Sequence, residues 1–355
     1  MKKAFTYIFF VLLAGSLAVS CAKETEFDSN EFQAGAFSRW MKKYHPDVPL
    51  LTGQYAGIYA EWLEKNPDGP ELREGYWFEL NYTARDQNGD IYYTRSLPFA
   101  RQIFGSTLDH TIHYVPELIQ YQPNSMSYTY PEGQIKMLTQ MNEGDSLRLY
   151  LPPAWGYGNG YYGFNYTKSS HYGYSPSTAA VSAESGLIID MRLNRVIKDI
   201  NLYEREQVAR FTEDSLGITD PADSVALGIY LKKSVTNPEG DSVKLKNCTA
   251  SVYYTGRFLD GHVFDTNVDS VARAHNIVGN SGPLKIRPNN DTDYIPAFGK
   301  ALVNMLTGEK ARFVTISDQA YGSEGSTHSS GGYVVIPPYT PLVFEIYVES
   351  VEYDE

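Results

Sequence analysis

The chain has 355 residues, of which 42% are hydrophobic and 20% charged, and its formal net charge is −12 at pH 7. This length suits two domains of ordinary size, and the excess of acidic residues argues against a nucleic-acid partner. The chain has two cysteines, Cys21 and Cys248. Cys248 lies between strand-like residues, so we expect it to be a small core residue.

The N-terminal segment has the pattern of a secretory signal peptide. Lys2 and Lys3 precede an apolar run over residues 4–19, which ends at Ser20 and Cys21. The stretch SLAVSC resembles a bacterial lipobox, in which the cysteine is lipidated and becomes the new N-terminus. We therefore expect a lipoprotein of the cell envelope, held in the outer membrane through Cys21. An ordinary signal peptide cut near Ser20 is the alternative.

Two halves of the chain share a signature. Gly57 and Gly228 each begin a Gly-Ile-Tyr tripeptide, and an Asn-Pro-acid-Gly turn follows each one at the same spacing. Self-similarity over this length indicates a duplicated domain. The predicted segments are a signal peptide at 1–20, a tether with an N-terminal helix at 21–56, a first domain at 57–198, a helical linker at 199–223 and a second domain at 224–355.

Each copy has the pattern of several strands and one short helix. The strands alternate and are rich in Val, Ile, Tyr and Phe. The helix is PEGQIKMLTQM in the first copy and PAFGKALVNML in the second, with Pro at its start and Gly after its end. The charged stretches NEFQAGAFSRWMKKY and INLYEREQVARFTEDS precede the copies and also predict helices. The expected fold class is α+β, with an antiparallel sheet wrapped on one helix in each domain.

The stretch ASVYYTGRFLDGHVFDTN, residues 250–267, predicts a β-hairpin that turns at Asp260 and Gly261. The stretch also contains Tyr254, Phe264 and Asp265, which a hairpin alone does not explain. An acid beside aromatic residues at a strand end must be hydrogen-bonded to offset its loss of water, and the Tyr254 hydroxyl is the natural partner.

Together with three further blocks, this hairpin resembles the FKBP-type peptidyl-prolyl isomerases over nearly all of residues 228–355. The blocks are VYYTGRFLDGHVFDT, IPAFGKALVNMLTGEKARFVTI, QAYG and VIPPYTPLVFEIYV, in the family's order. The resemblance implies isomerisation of Xaa–Pro bonds in proline-containing polypeptides, without a metal or another cofactor.

The resemblance also implies a prolyl pocket. Its catalytic positions are Tyr254, Phe264, Asp265, Tyr321, Ile336 and Phe344. Its substrate-binding positions are Leu284, Tyr294, Ile295, Phe298, Ala320 and Val335. The Ile336 backbone N–H and the Tyr321 hydroxyl would hold substrate carbonyl groups. Arg273, within an insertion over residues 268–282, is a candidate partner for Asp265. Ordinary core packing is the alternative for each aromatic residue taken singly.

The first copy departs from this pattern. Tyr92 and Tyr93 stand where the second copy has Phe264 and Asp265, and VSAES replaces the Ile-Pro-Pro block. We therefore predict a degenerate domain without isomerase activity. Its long Tyr- and Gly-rich loop, residues 157–181, is a candidate surface for an envelope protein partner, with a plain flexible loop as the alternative.

The functional expectation is a peptidyl-prolyl isomerase of the bacterial envelope that acts on unfolded or exported proteins. The alternatives are a non-catalytic FKBP-like chaperone or peptide-binding lipoprotein, and a subunit of an outer-membrane assembly. His110 and His113 have no accompanying Cys or Glu pattern, so we expect surface or loop histidines and no metal site there.

Overall fold

The computed structural model describes residues 29–108, 112–126, 130–156, 185–277, 282–289, 294–327 and 334–354. The predicted signal peptide, Cys21 and the Tyr- and Gly-rich loop lie outside these ranges, so the lipid anchor and the partner surface stay predictions. Within the described part of the chain, no helix combines the length and the apolar character that a membrane span requires.

The first domain is built on a six-stranded antiparallel sheet. Its strands are β1 (Tyr59–Glu64), β2 (Trp77–Asp86), β3 (Ile91–Thr94), β4 (Glu117–Gln120), β5 (Ser146–Leu151) and β6 (Leu187–Ile197). They run in the order β1-β5-β6-β2-β3, and β4 also pairs with β2. Its helices are α1 (Ser29–Tyr44), α2 (Leu97–Phe104), α3 (Pro123–Met126) and α4 (Glu132–Leu138).

The main sheet of the second domain repeats this strand order. Its strands are β7 (Ile229–Val235), β8 (Cys248–Phe258), β9 (Val263–Thr266), β10 (Leu284–Ile286), β11 (Lys310–Thr315), β12 (Ser326–Thr327), β13 (Val334–Ile336) and β14 (Leu342–Tyr353). The main sheet has the order β10-β8-β14-β11-β7 with β9 on β8, while β12 and β13 pair separately. Its helices are α6 (Asp269–His275) and α7 (Pro296–Leu302).

The predicted linker is helix α5 (Ile200–Phe211), which continues into a π-helical turn at Thr212–Leu216. Asp199 caps the helix, because its carboxylate accepts the backbone N–H of Leu202 at 3.0 Å. The predicted helix before the first copy is also present, as α1. The α+β fold class with two repeated antiparallel domains is confirmed, while the domain boundaries stay predictions.

The short helix α7 packs closely on its surroundings because it carries small residues. Ala297, Phe298, Ala301 and Leu302 are buried, and they belong to the same core as the strands of the second sheet. At Gly299, a Cβ atom would lie 2.2 Å from the carbonyl oxygen of Pro288. Only glycine therefore permits this approach of the helix to the preceding chain.

A buried carboxylate holds the turn after this helix. Glu309 is 2% exposed, accepts the backbone N–H of Leu306 at 2.8 Å and forms an ion pair with Lys233 at 2.7 Å. It also accepts the N–H of Asn237, at 3.4 Å, and so ties the Asn-Pro-acid-Gly turn to the helix end. Burial acts to raise the pKa of Glu309, but these hydrogen bonds and the Lys233 charge outweigh it and hold that pKa below its ordinary value.

The first copy has a carboxylate with the same hydrogen-bonding role at the equivalent position. Asp145 accepts the backbone N–H groups of Asn142, at 2.9 Å, and Asn66, at 2.5 Å. The repeat seen in the sequence therefore preserves a hydrogen-bonded turn as well as a strand order.

We predict that Glu309→Gln lowers the free energy of unfolding by about 1–3 kcal/mol at neutral pH, since it weakens a buried hydrogen-bonded ion pair. Because the fold lowers this pKa, the contribution is complete above about pH 4.3 and is lost as the pH falls through the folded-state pKa. Urea unfolding at several pH values measures both effects. Glu132→Gln, at an exposed residue, is the control, and equal stability of Glu309→Gln and wild type at neutral pH would contradict the prediction.

Candidate active site

A cavity of about 330 Å³ opens on the second domain, at the start of α7. Strand residues form one side of it, and residues around α7 and the turn before β12 form the other. The lining residues are Tyr254, Asp265, Leu284, Tyr294, Ile295, Pro296, Phe298, Ala320, Tyr321 and Phe344.

Two buried phenylalanines form the floor of the cavity. The ring centroids of Phe298 and Phe344 lie 4.9 Å apart, and both side chains are at most 5% exposed. Phe313 supports them from below, with its ring stacked 5.2 Å from that of Phe344. By contrast, Tyr254 and Tyr321 are only partly buried and stand at the rim. The cavity thus combines an apolar floor with polar atoms at its opening.

The hydroxyl of Tyr254 donates a hydrogen bond of 2.6 Å to the carboxylate of Asp265. The hairpin register creates this contact, because Asp265 pairs with Gly256, which lies two residues beyond Tyr254 and so on the same face of the strand. A Cβ at Gly256 would lie 2.6 Å from the ring of Phe264, so glycine lets that ring pack beneath the hairpin. Burial, then the charge and the hydrogen bond of Asp265, raise the pKa of Tyr254 far above its ordinary value.

Tyr321 follows a single 3₁₀ turn, Ser317–Gln319. The linker helix fixes this turn, because the buried carboxylate of Glu204 accepts hydrogen bonds from the N–H and the hydroxyl of Ser317. Beyond Tyr321, the N–H of Gly325 donates to its carbonyl oxygen at 3.0 Å. Burial, and then the charge of Asp265, raise the pKa of the Tyr321 hydroxyl. That hydroxyl therefore remains a hydrogen-bond donor at neutral pH.

The structure brings most of the predicted pocket residues together. Three of them do not line the cavity: Phe264 and Ile336 are buried beside it, and Val335 packs partly buried against the same core. Pro296 lines the cavity and was not predicted, although its place before Phe298 in the IPAF motif could have indicated it. The functional roles of the predicted residues stay predictions.

The proposed arginine partner of Asp265 is not found. Arg273 lies exposed on α6, and no ion pair among the described residues involves Asp265. The insertion folds into a helix of its own, which points this basic residue to solvent. In this structure a tyrosine hydroxyl, rather than a guanidinium group, satisfies the aspartate.

The first copy fills the equivalent space with an aromatic ring. Tyr93 pairs with Ala84 in the hairpin register, as Asp265 pairs with Gly256 in the second copy. The ring of Tyr93 stacks on that of Tyr82 with 4.4 Å between centroids. Both tyrosines are at most 5% exposed, so a large ring takes the place of a small, partly exposed carboxylate.

In the first copy, the carboxylate lies on a different strand, β4. Glu117 pairs opposite Leu80 on β2, which is the place of Leu284 in the second sheet. The buried Glu117 accepts hydrogen bonds from the hydroxyls of Tyr93 and Tyr130. The sequence patterns did not predict that Glu117 stands in the place of Leu284 and bonds the tyrosine in the place of Asp265. The filled space supports the prediction that the first copy is not an isomerase. Tyr157, Val181 and Ser182, which the prediction also used, lie outside the described residues.

A larger concavity, of about 560 Å³, lies on the opposite face of the second sheet. Both charged and apolar side chains line it, and Arg312 pairs there with Glu345 at 2.5 Å. It lacks a phenylalanine floor, so it does not fit a prolyl ring as well as the smaller cavity does. Among the described residues, no group of three His, Cys, Asp or Glu side chains could hold a metal ion.

Residues 240–349 match the family model described as FKBP-type peptidyl-prolyl cis-trans isomerase. This part of the chain belongs to the FKBP-type isomerase family. The match covers the cavity and most of the second domain, which confirms the resemblance carried by the four sequence blocks.

Individual FKBP relatives match about a third of the chain. FK506-binding protein 2 of Yarrowia lipolytica is 29% identical over 128 residues, which are 36% of this chain and 77% of that protein. The FKBP-type 22 kDa peptidyl-prolyl cis-trans isomerase of Escherichia coli is 32% identical over 116 residues, 33% of this chain and 47% of that protein. The crystal structure of a peptidyl-prolyl cis-trans isomerase from Pseudomonas syringae is 30% identical, with 43% of this chain and 93% of that one covered and a TM-score of 0.33.

We predict that Tyr254→Phe reduces the loss of stability of this FKBP-type protein at high pH. Because the fold raises the pKa of Tyr254, its stabilising effect is complete below about pH 10 and is lost as the pH rises beyond that value. Urea unfolding between about pH 8 and about pH 11 measures the slope. Tyr44→Phe, at an exposed tyrosine, controls for the loss of a phenol. The same alkaline slope in Tyr254→Phe and wild type would refute the interpretation.

Proposed function

We propose that the cavity of the second domain isomerises Xaa–Pro bonds in unfolded or exported polypeptides, and that the protein works in the bacterial cell envelope. One observation carries the proposal. A partly open cavity has a floor of Phe298 and Phe344 and a rim that holds the hydrogen-bonded Tyr254 and Asp265 pair.

Such a cavity suits the chemistry of prolyl isomerisation. Rotation about a peptide bond must overcome a barrier of about 18–20 kcal/mol, which amide resonance creates. The trans form of an Xaa–Pro bond is favoured by only about 0.5–1 kcal/mol, and uncatalysed exchange takes tens to hundreds of seconds. The reaction makes and breaks no covalent bond, so the protein needs only to bind the twisted amide better than the planar one.

The residues of the cavity can provide this preference. The twisted amide has less resonance and a less polar carbonyl group, so an apolar floor that excludes water favours it over the planar form. The rings of Phe298 and Phe344 would hold the proline ring in place. The Tyr321 hydroxyl, which stays protonated, would hold a substrate carbonyl oxygen, and the backbone N–H of Ile336 is the second proposed donor.

We predict that Tyr321→Phe lowers kcat/KM for a short Xaa–Pro peptide by about two- to ten-fold, the effect of one lost neutral hydrogen bond. Tyr254→Phe should lower it as well, because Asp265 then loses the partner that holds it at the rim. The full-length chain is assayed by following the cis-to-trans exchange of the peptide. The matched control is Tyr82→Phe, the equivalent change in the first copy, which should keep the wild-type rate.

The same assay decides between the enzyme and its main alternative. No acceleration by the folded wild-type chain would remove the isomerase proposal. If that chain still suppressed aggregation of an unfolded protein, the non-catalytic chaperone would be favoured. Equal loss of activity in Tyr82→Phe and Tyr254→Phe would contradict the assignment of activity to the second domain.

The proposed place in the envelope rests on the signal-like N-terminus and on Cys21. A thioether-linked lipid anchors a protein because each buried CH₂ group contributes about 0.8 kcal/mol. We predict that Cys21→Ser releases the protein from the membrane fraction of a bacterial host and leaves the mature N-terminus without lipid, as read by mass spectrometry. The control is Cys248→Ala, which changes the other cysteine, a buried free thiol. Retention of Cys21→Ser in the membrane fraction would rule out this anchor.

A further inference from the structure

A histidine of the first domain contacts the hairpin that carries the active-site aspartate. The Nε2 atom of His113 lies 2.7 Å from the carboxylate of Asp260, at the hairpin turn. Its ring also stacks on Phe258, at 4.3 Å between centroids, and on His262, at 4.7 Å. The side chain of His113 is only 15% exposed. The loop position predicted for it is correct, but it faces the other domain rather than solvent.

The loop that presents His113 is itself fixed by a buried arginine. Arg95 is 2% exposed, and its guanidinium group donates to the carbonyl oxygen of His113 at 2.9 Å and to that of Val115 at 2.7 Å. Arg95 directly follows β3, so the sheet of the first domain holds this loop in place. These hydrogen bonds hold the backbone of the loop, so His113 has a fixed position against the hairpin.

Aromatic contacts continue from His113 to the floor of the cavity. Phe258 packs against Phe264 with 5.3 Å between ring centroids, and Phe264 packs against Phe344 at 5.9 Å. Phe344 in turn contacts Phe298. Each contact lies in the range of favourable aromatic pairs. The position of the His113 ring is thus connected through packed side chains to the surface on which the proline ring would rest.

We propose that His113 is a positioning residue for the isomerase site, which it serves by holding the β8–β9 hairpin through Phe258 and Asp260. The proposal rests on the proposed function of the cavity and extends it to a residue of the degenerate domain. A second contact also joins the two domains. Trp77 of the first domain packs on Tyr339, in the loop between β13 and β14, with 5.2 Å between ring centroids.

The physical reason is that a hairpin turn at a surface is more mobile than the strands it joins unless something packs on it. Asp265 and Phe264 lie on the returning strand of this hairpin. Movement of the turn would shift the carboxylate and the supporting ring relative to Phe344. Small displacements of positioned groups lower the rate of a reaction that depends on the geometry of its site.

The test compares full-length variants in the Xaa–Pro peptide assay, with kcat and KM measured separately. His113→Ala should lower kcat by about three- to ten-fold, as expected for the loss of one aromatic contact, with a smaller change in KM. His113→Phe should restore most of the rate, because a flat ring can still stack on Phe258. His45→Ala is the matched control, since it removes a histidine that stacks on Trp40 and Tyr150 within the first domain.

A double-mutant cycle makes the test specific. In a Phe258→Leu background, His113→Ala should have little further effect, since both changes break the same connection. Additive effects, or a wild-type rate in His113→Ala, would overturn the proposal. Asp260→Ala, at a residue whose side chain is 54% exposed, tests the contact from the other side if His113→Ala folds poorly. An inactive wild-type chain would instead refute the proposed function, so the two failures are distinguishable.

Discussion

The hydrogen bond between Tyr254 and Asp265 is the interaction on which the rest of the site depends. A carboxylate among aromatic side chains loses much of its hydration and is tolerated only when a donor compensates it. The compensated aspartate is small, so it leaves room above the Phe298 and Phe344 floor. Tyr254 and Asp265 thus form a polar rim on the hairpin. The cavity is open to solvent at this rim, while the core beneath it stays buried.

The first copy shows the consequence of losing this interaction. With Tyr93 in the aspartate position, the carboxylate comes instead from Glu117 and the space is closed by stacked tyrosines. The change extends to the helix, where Gln134 occupies the place of Phe298. Neither amide atom of this fully buried glutamine has a hydrogen-bond partner among the described residues, which is costly. The first copy therefore has the same sheet and turns, but tyrosine rings and buried polar side chains fill the space that is a cavity in the second copy.

Much of this could be predicted from the sequence because the decisive features are local. The turn that includes Asp260 and Gly261 joins the two strands of the hairpin, and the pairing of Gly256 with Asp265 places Tyr254 and Asp265 together. Other features depend on tertiary contacts. Val335 and Ile336 pack into or against the core of the second domain and leave the cavity lining to other residues, which depends on how β13 docks on the sheet. The exchange that involves Glu117 and the contact of His113 join residues far apart in the chain, and no periodicity reveals them.

The linker helix forms hydrogen bonds with both copies. Two successive residues of α5 contact different domains. The hydroxyl of Tyr203 donates to Glu79 of the first domain, and the carboxylate of Glu204 accepts from Ser317 of the second domain, four residues before Tyr321. Burial raises the pKa of Glu204, so this contact costs desolvation that its two hydrogen bonds must offset. A connector that only joined two independent domains would not need a buried carboxylate. Its presence indicates that the linker helix is packed on the second copy as part of the fold, and Tyr203 joins the same helix to the first copy.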